Sequence, residues 1–357
     1  MKRRELLSLL GAGAAAPLMA VADASAHRLA LAWRTAAGLD QVGLLRLDWS
    51  ARRVDVEAAW DLPSRAHGLI ADGAGGFVAV AARAGDWLLH VDALGKPRWT
   101  KQDGPWRFNG HVLPHAAGLF ATESDPRDDT AHLALRDPKT LALRARWPLA
   151  GRDGHQIVAE RDGSLLLALG GLPRWPDGRK RGGEAIGSAL LRINPSNGRE
   201  LARWTLADPD ISLRHLAWSH DGQQLGIALQ AEHPQAGSRE DAPLLALFDG
   251  ERLRLPVTGG PGLGYAGDLC AAPGGGFVLS AQKAGLGLLW QPAQPERWTR
   301  IAELTEPCAL QDGWHEGERA VLLVAGRGLA RWQAGGAQML AWPQAMVPDN
   351  HALLLPA

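Results

Sequence analysis

The sequence predicts an all-β protein: a seven-bladed β-propeller with four strands per blade, its ring closed by a C-terminal inner strand joining N-terminal strands. Three observations predict it. Short apolar runs punctuated by Gly, Asp, Asn and Pro replace amphipathic helices, which is the rhythm of many short strands. Three markers recur in a fixed order at a period of 40 to 60 residues, the spacing of one blade. The last repeat lacks its later strands, and the start of the mature chain supplies them.

The first marker is an acidic or amide residue that closes an apolar strand and opens a turn. It falls at Asp48, Asp92, Asp137, Asn194, Asp249, Gln291 and Gln333, for example in Leu-Leu-Arg-Leu-Asp48 and Leu-Leu-Arg-Ile-Asn194. A tryptophan in the following strand is the second: Trp60, Trp99, Trp147, Trp204, Trp298 and Trp342, with the repeat after Asp249 lacking it. The third opens the next strand, in Ala-His67-Gly, Gly-His111-Val, Gly-His155-Gln, Arg-His215-Leu, Gly-Asp268-Leu, Pro-Cys308-Ala and Asn-His351-Ala. Most of these marker strands lead to Gly-rich turns such as Asp72-Gly73 and Asp221-Gly222, and then to a further apolar strand such as Phe77–Ala81.

The strand at His351 has no followers, whereas the segments 29–33, 42–48 and 54–60 have no inner strand of their own. Joining them completes a seventh blade and removes two sheet edges that would otherwise stand open.

The first strand of a propeller blade lines the central channel, so residues at one register of that strand form a ring at its mouth. That ring is His67, His111, His155, His215, Asp268, Cys308 and His351. Imidazole, carboxylate and thiol are ligands of intermediate softness, and they suit iron or copper, with zinc third. Imidazoles packed closely repel once protonated, so such a group is costly unless it is neutral, spread apart or metallated. The strand after the inner one returns to the same face, where Arg83, Glu123, Gln230 and Gln282 are candidates to orient the imidazoles. Polar insertions at 171–188 and 231–243 gather on this face, as binding loops do. Within the first, Arg179-Lys180-Arg181 reads as a solvated charge run.

Composition bounds the rest. With 38 basic and 38 acidic side chains the formal net charge is zero, so neither nucleic acid nor an anionic membrane is an expected partner. Two cysteines, Cys270 and Cys308, make no disulfide framework, and their different levels along the strand argue against a pair. Residues 1–26 read as a twin-arginine signal: Arg3-Arg4 precedes Leu6-Leu7 and a weakly apolar stretch, with Ala24-Ser25-Ala26 as a cleavage pattern. The expected mature domain is 27–357, a periplasmic monomer with no membrane span. Neither a Gly-x-Ser-x-Gly elbow, a phosphate-binding Gly loop nor a Cys-x-x-Cys pair is present.

The twin-arginine leader, Gly-His111, Thr-Glu123-Ser-Asp, Gly170-Gly171, Ser212-Leu-Arg-His215-Leu-Ala, Cys308 and Asp349-Asn350-His351 together resemble the bacterial family called domain of unknown function 1513. The resemblance spans essentially the whole mature chain. It implies a periplasmic propeller encoded beside imelysin-type proteins and a dihaem oxidoreductase, hence a place in iron acquisition with such proteins as partners. Leu169 stands where the family pattern has Asn before Gly170-Gly171, and the loop that follows has no His.

Three functions are consistent with these residues: metal binding at the histidine ring, a metal-free scaffold that docks a partner on the loop face, and a metal-dependent oxidoreductase. Bound metal separates the scaffold from the other two, and turnover of a redox substrate separates those two from each other.

Overall fold

The structure is a computed structural model that describes residues 26–182 and 184–355; the expected leader therefore lies, apart from Ala26, outside the described residues. Seven four-stranded antiparallel sheets are arranged as blades. Blades 1 to 6 begin with the strands Ala66–Ala71, Arg107–His115, Gly154–Ala159, Ile211–Trp218, Leu269–Ala271 and Ala309–His315. Each of these strands lies against its counterpart in the next blade around the channel. Blade 7 is assembled circularly, with Met346–Leu355 paired to Ala26–Thr35, followed by Asp40–Asp48 and Arg53–Asp61. Helix among the described residues is confined to Ala236–Glu240 and a 3-10 turn at Gln282–Ala284, and no helix is long and apolar enough to cross a membrane.

The core follows from strand alternation. Successive side chains point to opposite sheet faces, so a blade packed on both sides is apolar at every position of its middle strands. In Ala26–Thr35, Leu29, Leu31 and Trp33 face blade 6 with Val324 and Leu340, whereas Ala30 and Ala32 face blade 1 with Phe77 and Leu89. The same division repeats around the ring, giving one apolar layer between each adjacent pair of blades. Outer-strand tryptophans reach across these layers. Trp60 of blade 7 meets Phe77 of blade 1 edge-on at 6.0 Å, and Trp204 of blade 3 lies 4.5 Å from Phe248 of blade 4 and donates to the Glu251 carbonyl. Trp147 of blade 2 presses on Gly198 of blade 3, where a Cβ would come within 2.3 Å of the indole.

A histidine cluster under a cationic hollow

Five of the seven inner strands are bulged where the marker stands. In blade 1, Ala66 pairs with Ala81 and Leu69 with Ala79, which leaves one extra residue around His67. Blades 3 and 4 carry the same one-residue excess around His155 and His215. The excess is two residues around His111 of blade 2 and around His351 of blade 7. A bulge interrupts the alternation of the strand and re-aims the side chain it carries. These five turn their histidines out of the blades and into the channel. Gly110 makes room for this: its φ is +97°, and a Cβ there would sit 2.6 Å from the His67 ring.

The imidazoles form a single cluster. Ring centroids lie 4.5 Å apart for His111 and His155, 4.8 Å for His67 and His111, 4.7 Å for His67 and His351, and 4.6 Å for His215 and His351. Single nitrogens of His67, His111, His155 and His215 all fall within 4.8 Å of one another. Nε2 of His215 stands 3.0 Å from Nε2 of His155 and 3.2 Å from Nε2 of His351. Among the described residues, Nε2 of His67 and of His111 have no hydrogen-bond partner. Burial lowers the pKa of all five below the ordinary imidazole value, and the neighbouring imidazoles lower it further for His111, His155, His215 and His351. The rings are therefore neutral near pH 7, each with a nitrogen lone pair.

Two acidic side chains address these rings from outside. Asp349 places Oδ1 3.5 Å from Nδ1 of His67 and is paired with Arg65, which together with the imidazole holds its carboxyl well below the usual range against the effect of burial. Asp268 stands 3.9 Å from Nδ1 of both His215 and His351, and burial pushes its pKa up to about 8. Its oxygens accept the backbone N–H groups of Leu269 and Leu310, so it flanks the cluster without entering it. The paired residues of the inner strands in blades 5 and 6, Leu269–Ala271 and Ala309–His315, run in regular register, and Asp268 and Cys308 stand just ahead of them. Cys308 donates its backbone N–H to the Val324 carbonyl, its thiol donates to the same oxygen at 3.5 Å, and the side chain packs in the layer between blades 6 and 7. Cys270 lies in the layer between blades 5 and 6; both cysteines are free.

The other expected residues divide. Arg83 lines the hollow above the histidines, as does Gln230, whose amide donates to the Ala266 carbonyl. Glu123 does not reach an imidazole: fully buried within blade 2, it binds Arg136 and Arg146 at 2.7 Å each. Gln282 lines an adjoining hollow beside Asp349. The insertion at 171–188 does cover this face. Its tip is a tight hairpin in which Arg174 and Lys180 are bridge partners, and Lys180 of the expected charge run turns into the hollow to meet Glu232. Asp153, Asp349 and Arg214 carry no repeat marker. The Asp-x-His spacing of Asp349 and His351 and of Asp153 and His155 is the one local signal that could have singled out both acids.

A propeller whose channel mouth is filled by a buried histidine cluster is the class defined by this fold and site. The chain belongs to the family described as protein of unknown function DUF1513, whose model matches residues 60–355. No curated protein matches it. Among solved structures it is similar to the periplasmic gluconolactonase of Pseudomonas aeruginosa, at 17% identity and TM-score 0.59 over 93% of this chain and 99% of that one. It is also similar to virginiamycin B lyase from Staphylococcus aureus, at 9% identity and TM-score 0.57 over 78% and 84% of the two chains. A third is hydrazine synthase of Kuenenia stuttgartiensis, at 9% identity and TM-score 0.59 over 87% and 94%. These identities establish a shared fold.

Proposed function

We propose that this protein is a periplasmic, twin-arginine-exported propeller that binds a transition metal, iron or copper, at His67, His111, His155, His215 and His351, and serves metal acquisition. The reading rests on one observation above all: four buried, neutral imidazoles present nitrogens within 4.8 Å of one another, and Nε2 of two of them meets no donor or acceptor among the described residues. Leaving buried polar nitrogens unpaired costs about 1–3 kcal/mol each, a cost that coordination removes. Imidazole nitrogen suits copper, iron and zinc. Asp349 supports the arrangement from behind, since a carboxylate accepting Nδ1–H leaves Nε2 as the donor atom. The family's association with imelysin-type proteins and a dihaem oxidoreductase favours iron and makes such proteins the partners.

Elemental analysis of the natively exported protein, purified without tag or chelator, tests this. A stoichiometric amount of iron or copper is expected, lost in His111→Ala and in the less buried His351→Ala while the β-sheet circular dichroism is kept. Protein that holds no metal and takes none up under reducing or oxidising conditions would sink the reading and leave a scaffold with structural histidines. Turnover of a redox substrate by the loaded protein would make it an oxidoreductase.

A further inference from the structure

Directly above the histidines is a hollow of about 260 Å³ whose walls carry five cations, Arg65, Arg83, Arg174, Lys180 and Arg214, and no carboxylate. The acids that pair with these cations lie behind the lining. Asp153, fully buried, is shared by three guanidiniums: it contacts Arg83, accepts from Nη1 of Arg214 at 2.8 Å, and stands 3.8 Å from Nε of Arg174. Asp349 serves Arg65 and Glu232 serves Lys180. Asp129 spends one oxygen on the backbone N–H of Arg174. Even with Asp129 counted, five cations face four carboxylates.

The burial of these charges decides what the excess means. The side chains of Arg83, Arg174 and Arg214 are 11%, 17% and 3% exposed, so solvent screens them poorly. A buried charge without a full partner is strongly destabilising unless an opposite charge joins it. Burial lowers the pKa of Arg83, that of Arg174, to about 10, and that of Arg214, and repulsion between the guanidiniums lowers Arg83 and Arg174 further. Independently of charge, unused donors point to a ligand. Asn109 lines the hollow at 2% exposure; its Oδ1 is occupied by Arg83 and Ser124, and its Nδ2 has no acceptor among the described residues. Nε of Arg214 is likewise unpaired.

We infer that this hollow binds a small, multiply charged oxyanion, a phosphate or a di- or tricarboxylate, between the guanidiniums and the histidine floor. Guanidinium forks match the oxygens of both groups, the amide of Asn109 supplies a neutral donor, and the hollow of about 260 Å³ is of a size for a small ligand. The site is distinct from metal binding and stands whether or not the histidines hold an ion. Because Arg174 and Lys180 come from the hairpin of the 171–188 insertion, that insertion is what turns a plain channel mouth into an anion site.

Calorimetric titration of chelator-stripped protein at low ionic strength tests it, with inorganic phosphate and citrate as probes and glycerol as the neutral control. Saturable binding of phosphate or citrate is expected, and the tighter of the two names the source. Affinity should fall at least tenfold in Arg174→Gln and survive in Arg179→Gln, whose side chain is exposed and paired only with Asp177. Because the titration uses chelator-stripped protein, failure of the metal reading leaves this one standing. Absence of saturable anion binding, or equal weakening by Arg179→Gln, overturns the inference. If Arg174→Gln does not fold, Lys180→Gln, from the same hairpin, carries the comparison.

Discussion

Nε2 of His215 and Nε2 of His155 stand 3.0 Å apart, although they come from different blades and are separated by sixty positions in the chain. Nε2 of His351 approaches the same His215 nitrogen at 3.2 Å from across the channel. A neutral imidazole has one lone pair and one N–H. If His215 donates, it satisfies one neighbour only; if it accepts, two donors share a single lone pair. The protein's own hydrogen bonds therefore leave this group frustrated, and frustration of this kind is relieved by one cation that accepts several lone pairs together.

Asp349→Asn tests how the ligands are oriented. Removing the charge facing Nδ1 of His67 is expected to weaken metal binding 10- to 100-fold in chelator competition. It should also depress the His67 pKa further, because Asp349 is what raises it against burial. Nitrogen chemical shifts of the ring, followed by NMR, report the tautomer directly. An unchanged tautomer and affinity would reduce Asp349 to a partner of Arg65.

Acid should destabilise the metal-free protein. All five cluster histidines have folded pKa values below the ordinary 6.5, so between the folded values and 6.5 the unfolded chain binds more protons than the native one. Their contribution is complete above pH 6.5 and is lost as pH falls below it. Each proton taken up on unfolding contributes a slope of about 1.4 kcal/mol per pH unit. Urea midpoints measured from pH 8 to pH 5 should fall, and less steeply in His111→Gln. A flat profile in the wild type would contradict neutral, buried rings.

The cysteines should behave as two inert thiols. Cys270 and Cys308 occupy the layers on opposite sides of blade 6, and burial raises both thiol pKa values. Reducing agent is expected to leave the melting temperature unchanged, and a thiol reagent should titrate both groups only after denaturation. A shift in melting on reduction would require a bridge that this packing forbids.

Deleting residues 346–357 should abolish folding and not merely the site. Strand Met346–Leu355 is the inner strand of blade 7, and without it Leu29 and Leu31 lose their edge partner while two apolar layers open. Loss of cooperative melting and gain of dye binding to exposed apolar surface are expected. A truncated chain melting like the full-length protein would contradict closure through this strand.

The architecture was legible because each blade repeats the same physical demands: an apolar inner strand, a turn residue and a bridging tryptophan. The histidines shared a register, and that register was enough to bring five of them together. Sequence alone did not separate these five from Asp268 and Cys308, because the five sit in bulges visible only in the pairing of neighbouring strands, whereas Asp268 and Cys308 stand just ahead of the paired residues of theirs. Glu123 was misplaced for a related reason: it sits at the right height but faces into the blade, where Arg136 and Arg146 occupy it. The arginines of the hollow carry no periodic signal, since two of the five cations arrive on an insertion outside the repeat and Arg214 is set by the bulge beside His215.

His351 arrives on the strand that seals the ring, and that strand pairs with residues 26–35, separated from it in sequence by all six other blades. The fifth imidazole thus reaches its neighbours only where the two ends of the described chain are paired. The histidine cluster therefore depends on ring closure: a chain whose two ends do not meet presents four of these imidazoles, and only the closed ring presents all five.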